Sequence, residues 1–216
     1  MVHREALPSD AILDRRFRLG EVIGSGGFGI TYLAQDLGLD TPVAIKEYFP
    51  TQFATRDSSY SVHPRSHSDK PSFERLRSSF IREARTLAQI DHPAVVRVLS
   101  VFETNGTAYM VMRYEAGPSM KAWLDELGRR PTQAELDEIV EPLLSALEVM
   151  HADDILHRDI APDNIIRPGQ LTRLDRFRGS TPSCWRALQH HDGHRQGRLL
   201  AARAVFGQQQ GPRSLE

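Results

Sequence analysis

Eight consecutive residues, His157-Arg158-Asp159-Ile160-Ala161-Pro162-Asp163-Asn164, set a carboxylate and a carboxamide five positions apart just after a long helical pattern. An acid at Asp159 can accept a hydroxyl proton while the amide oxygen of Asn164 binds Mg²⁺. Phosphoryl transfer to an alcohol requires that pairing. Far upstream, Gly24-Ser25-Gly26-Gly27-Phe28-Gly29 satisfies G-x-G-x-x-G. Alone, the pattern fits a plain hairpin tip or a dinucleotide-binding turn as well as a phosphate loop. A dinucleotide turn opens a helix, because the pyrophosphate sits on a helix N-terminus. Here strand-forming Thr31-Tyr32-Leu33 follows, so a glycine-rich hairpin lying over phosphates is the better fit. Lys46 ends the apolar run Val43-Ala44-Ile45, where a charge needs a partner. Glu83, beside an apolar helical stripe, is either a surface carboxylate near Arg82 and Arg85 or the partner of that lysine.

These residues need elements to hold them. Residues 17–46 read as three strands, with a turn at Asp36–Pro42. Residues 51–72, rich in Ser, Arg, His and Pro without periodicity, read as a long loop. Phe73, Leu76, Phe80, Ala84 and Leu87 recur every three or four positions, so Ser72–Ile90 is expected to be a helix that His92-Pro93 ends. Val95–Phe102 and Ala108–Met112 read as strands around Thr104-Asn105-Gly106. Ser119–Leu127 reads as a short helix. A longer one opens at the capping box Thr132-x-x-Glu135 and runs through Met150, with Pro142 expected to bend it or remove a hydrogen bond. No internal repeat is present.

In order and spacing, residues 12–168 resemble a bacterial-type serine/threonine protein kinase. The match consists of the glycine loop, Val43–Lys46, the helix with Glu83, and His157–Asn164. The resemblance implies an α+β, two-lobed kinase fold. Residues 1–11 would be an extension, and 12–115 an ATP-binding small lobe with a five-stranded sheet and one main helix. Residues 116–168 would begin the helical lobe, and 169–216 would be an unrelated tail without fixed structure. It implies that ATP and Mg²⁺ are cofactors, with Asp159, Lys46 and Glu83 as catalytic residues and Asn164 as a metal ligand. Ile23 and Gly24–Gly29 (Gly24, Ser25, Gly26, Gly27, Phe28 and Gly29) would cover the nucleotide. Lys46 would touch the α- and β-phosphates. Met112 would back the adenine pocket and Arg113-Tyr114-Glu115 would be the hinge, Tyr114 among the binding residues. Ala44 and Ile166 would sandwich the ring. The implied partner is a protein presenting Ser or Thr.

Three departures stand out. Thr31, among the implied nucleotide-binding residues, replaces a usual Val and adds a hydroxyl in the pocket. Ala161 replaces the lysine that many members carry two residues after the base. After Ile165-Ile166-Arg167-Pro168 the pattern stops: no Asp-Phe-Gly occurs anywhere, and Asp175 is followed by Arg176-Phe177-Arg178. Those residues can be spelled GAT-CGA-TTT-CGG. Read one nucleotide later, with the next G, the text becomes ATC-GAT-TTC-GGG, Ile-Asp-Phe-Gly. Under the same shift Arg198–Phe206 can spell Gly-Tyr-Ser-Pro-Pro-Glu-Gln-Tyr, and Gln189–Gly197 can spell Ser-Ile-Met-Thr-Ala-Ile-Val-Lys-Ala between them. All three share one offset and the order a kinase needs. A frameshift near Pro168–Leu171 is therefore expected, leaving a truncated kinase that is inactive and prone to aggregate. The alternative is a nucleotide-binding pseudokinase or non-catalytic fragment.

Composition agrees with the division. The whole chain of 216 residues carries 27 Lys+Arg against 28 Asp+Glu, net −1. Residues 169–216 hold 8 Arg, no Lys and 3 acids, net +5, which leaves −6 for residues 1–168. Cys184, His190, His191 and His194 match no zinc spacing, and the Arg-rich tail has few aromatics, so neither a metal nor nucleic acid is expected there. One cysteine excludes an internal disulfide framework and fits the cytoplasm. No apolar run approaches the ~18 residues of a membrane span, and Met1–Asp10 is too polar for a signal peptide.

Overall fold

A computed structural model describes residues 5–157 and 160–167, plus the backbone of 173–174. Its main feature is a six-stranded antiparallel sheet in the order β1-β2-β3-β4-β8-β7. The strands are β1 (Ile12–Leu13), β2 (Phe17–Gly26), β3 (Gly29–Asp36), β4 (Thr41–Tyr48), β7 (Val98–Thr104) and β8 (Thr107–Arg113). The sixth strand is β1, an edge pair with Phe17 and Arg18 that the five-strand expectation lacks. Two residues are too few to show a period, which is why it is invisible in the sequence.

Helix α1 (Lys70–Leu87) buries Phe73, Leu76, Phe80, Ala84 and Leu87, the stripe its spacing specifies. Tyr48 lies against the rings of Phe73 and Phe80, with centroids 5.2 and 5.8 Å away, and its hydroxyl donates to the Phe73 carbonyl at 3.0 Å. On the opposite side, Phe17, Phe102 and Tyr109 stack in series at 5.8 and 5.2 Å. Both faces of the sheet are therefore covered, which explains why Tyr32, Ile45, Tyr109 and Val111 are all fully buried.

Residues 51–72 are not a featureless loop. Strands β5 (Ala54–Arg56) and β6 (Val62–Pro64) pair antiparallel. The Asp57 carboxylate closes their turn by accepting from the Ser59 and Ser61 amides at 2.8 and 3.0 Å. Three-residue strands of mixed polarity carry no period, so only this turn chemistry marked the hairpin.

The second lobe begins with α2 (Met120–Leu127), capped by Ser119, whose side chain accepts from the Ala122 amide at 3.2 Å. Helix α3 (Gln133–Ala152) opens on the expected reciprocal capping box of Thr132 and Glu135 and continues through Pro142. Ile139, Leu143 and Ala146 form a small core with Ala94 and Ile165, flanked by Val95, Met120 and Trp123. Leu143 is thus only 8% exposed, whereas Leu144 is 60% exposed. A 3₁₀ turn (Pro162–Asn164) leads into β9 (Ile165–Ile166), which pairs with β10 (Arg173–Leu174). No helix among the described residues is long and apolar enough to cross a membrane. The tail beyond these elements, Asp175 and the Cys184–His194 cluster included, lies outside the described residues.

Candidate active site

The glycine run forms a strand–turn–strand. Gly24 pairs with Thr31, Ser25 with Ile30 and Gly26 with Gly29, so only Gly27-Phe28 turn the chain. No helix follows, which removes the dinucleotide-turn alternative. Gly29 packs closely on β4: a Cβ there would collide with the Glu47 carbonyl and lie 3.5 Å from Lys46 Cε. The absent side chain therefore brings the glycine hairpin down onto the lysine.

Lys46 pairs in register with Thr31 on one side and Met110 on the other, and it is 3% exposed. Strand alternation puts Ala44, Lys46 and Tyr48 on one face. Tyr48 meets α1 on that face, so Glu83, one residue before buried Ala84, belongs to the element packed beside the lysine. Asn164 ends the 3₁₀ turn and is 1% exposed, its backbone N–H donating to the Ala161 carbonyl at 2.9 Å. His157 is buried, while Arg158 and Asp159 lie outside the described residues.

Between the lobes an open cleft of about 470 Å³ is lined by Ile23, Thr31, Ala44, Val96, Met112, Arg113, Tyr114, Glu115, Gly117 and Ile166. Six of these are residues the sequence nominated as nucleotide-binding: Ile23, Thr31, Ala44, Met112, Tyr114 and Ile166. Ile23, Ala44, Val96, Met112 and Ile166 give it apolar walls that suit a planar base. Polarity enters at the hinge edge, where the Arg113 guanidinium is 3.7 Å from the Glu115 carboxylate. Val96 and Gly117 were not foreseen. Val96 reaches the cleft through the path of the loop after His92-Pro93, which no local pattern reveals; Gly117 was at least visible as a glycine in a polar connector.

Ile166 is held in place by neighbours on both sides. It forms an isolated bridge with Ser119, and the Arg167 amide donates to the Pro118 carbonyl at 3.0 Å. The Arg167 guanidinium lies 4.1 Å from the centroid of the Trp123 ring. The floor of the cleft is thereby tied to α2.

The protein kinase domain family matches residues 17–172, well over half of the chain. The chain belongs to the protein kinase family. Relatives include serine/threonine-protein kinase pkn2 of Myxococcus xanthus, 34% identical over 158 residues, covering 73% of this chain and 17% of that protein. Serine/threonine-protein kinase PrkC of Bacillus subtilis is 32% identical, covering 70% of this chain and 20% of its own length. Among solved structures, the apo form of PpkA-294 superposes with a TM-score of 0.74 at 38% identity, covering 79% of this chain and 60% of that one. This kinase chain thus spans about a fifth of the length of these two relatives. The match fades where the sequence pattern does, within a few residues of Pro168.

Mg²⁺ takes oxygen ligands and keeps several waters and phosphate oxygens, so it asks few ligands of the protein. Asn164 fits as one such ligand through its amide oxygen. Among the described residues no group of three or more His, Cys, Asp or Glu gathers to hold a metal.

Proposed function

We propose that this chain is the ATP-binding and catalytic-loop portion of a serine/threonine protein kinase, which transfers the γ-phosphate of ATP to Ser or Thr hydroxyls of a protein. The observation carrying this reading is the cleft: six nominated residues line it, among them Thr31, which pairs with Gly24 of the glycine hairpin on one side and with Lys46 on the other. The adenine ring lies between Ala44 and Ile166, with Met112 behind it and the hinge backbone at Tyr114 along its edge. Gly24–Gly29 cover the phosphates. Lys46 neutralises the α- and β-phosphate oxygens, and Glu83 on α1 fixes that lysine. Asp159 accepts the proton of the attacking hydroxyl as the new P–O bond forms and ADP departs, and Asn164 holds Mg²⁺.

As written, the chain binds nucleotide but does not turn it over, because no Asp-Phe-Gly supplies the second metal-binding carboxylate. The experiment pairs nucleotide titration with an autophosphorylation assay using labelled ATP, with Lys46→Ala and Asp159→Asn beside the parent. We expect binding by the parent, loss of binding in Lys46→Ala, and no incorporation above the two variants. Incorporation above them overturns the inactive reading. No binding by the parent overturns the assignment of the cleft.

A further inference from the structure

Residues 49–65 lie between the lysine strand and α1, and the phosphoryl-transfer reading gives them no role. We infer that they brace the glycine loop, with Thr51 and Arg56 as positioning residues that hold its tip ready for the phosphates. The inference rests on the nucleotide reading above.

Contacts at the tip carry it. The Phe49 amide donates to the Phe28 carbonyl at 3.0 Å, and the Thr51 amide donates to the Gly27 carbonyl at 3.0 Å. The Thr51 hydroxyl adds a third bond to the same Gly27 oxygen at 3.3 Å. Gly27 and Phe28 are the two turning residues of the hairpin, so the brace holds the segment that lacks ladder partners of its own. A glycine-rich tip would otherwise have to be ordered by the ligand, at an entropic cost drawn from binding.

The brace is itself anchored. The Arg56 guanidinium donates to the fully buried Glu47 carboxylate at 2.6 Å, donates to the Glu5 carbonyl at 2.7 Å, and lies 5.0 Å from the centroid of the Phe49 ring. Arg65 returns from β6 to donate to the Thr51 carbonyl at 3.0 Å. The Val62 amide bonds the Asn105 carbonyl at 2.8 Å, pinning the far arm to the β7–β8 turn. Thr51 therefore grips the tip from a base fixed on both sides.

The test separates the phosphates from the base. Full-length parent, Thr51→Pro (no amide donor, no hydroxyl) and Thr51→Val (no hydroxyl) are titrated with Mg²⁺–adenylyl imidodiphosphate and with adenosine. Each hydrogen bond is worth about a twofold to tenfold factor. Thr51→Pro should therefore weaken the triphosphate about fivefold and Thr51→Val about twofold, with adenosine unchanged. Equal weakening of both ligands means a general folding defect and overturns the brace, as does an unchanged or tighter triphosphate in Thr51→Pro. Amide exchange on the unliganded parent gives a ligand-free arm: the Phe49 and Thr51 amides should be protected, and exchange at unprotected rates overturns the contacts themselves. A parent that binds neither ligand overturns the nucleotide reading and the purpose of the brace with it, while protected amides would still establish the contact.

Discussion

Glu47 is fully buried one position past Lys46, facing away from the cleft. It accepts from the Tyr32 and Tyr109 hydroxyls, each at 2.8 Å, and from Arg56 at 2.6 Å. Removing one partner of such a pair leaves the other buried and uncompensated. Glu47→Ala should therefore cost about 3–5 kcal/mol in chemical denaturation, a large share of a small domain's stability. Burial, and next the Glu47 charge, raise both phenols well above the ordinary tyrosine value near 10. The folded state then holds protons that the unfolded chain releases above about pH 10, so the phenols' contribution to stability is flat below that pH and falls as pH rises beyond it. A thermal melt series from pH 8 to 11 checks this, and Tyr32→Phe should shallow the alkaline fall. At this scale, legibility followed distance along the chain. Gly24–Gly29, Lys46 and Asn164 sit in contiguous motifs, so the sequence alone can nominate them. The Glu47 cluster draws on residues 9, 15 and 62 positions away, and nothing local joins them.

Among the elements, α3 was the most legible, because its capping box, stripe and length all agree. Glu135 is held down to about 2, first by Arg129 and then by the Thr132 amide. Its contribution is present above the ordinary carboxylate value near 4.5 and is lost as pH falls toward 2. Amide exchange in the first turn of α3 should accelerate over that window, and Glu135→Gln should abolish the dependence. Leu143 and Leu144 differ by one position and by most of their exposure. Leu143→Ala should destabilise by about 2–5 kcal/mol, and Leu144→Ala by less than about 0.5 kcal/mol. Equal effects would mean that the helix packs by another face. The strands that escaped the sequence reading, β1, β5, β6, β9 and β10, are each two or three residues long, and tertiary hydrogen bonds rather than pattern make them strands.

Over the whole molecule, the division near residue 168 joins the charge split, the end of the family match and the missing Asp-Phe-Gly. Sequencing the gene across codons 165–180 should show that the +1 frame after codon 168 stays open and encodes Ile-Asp-Phe-Gly. A stop codon or another sequence there ends the frameshift account. The β5–β6 hairpin has a consequence for chain continuity. Its tip, Ser58–Tyr60, is exposed. The arm before the tip is fixed through Thr51 and Arg56, and the arm after it through Val62 and Arg65. Gly106, at a φ of +71°, passes so close to the Val62 carbonyl that a side chain there would strike it. A protease that nicks the tip would therefore leave two fragments that stay associated and migrate together until denatured. The same site would accept new termini in a circular permutant that keeps the glycine loop intact.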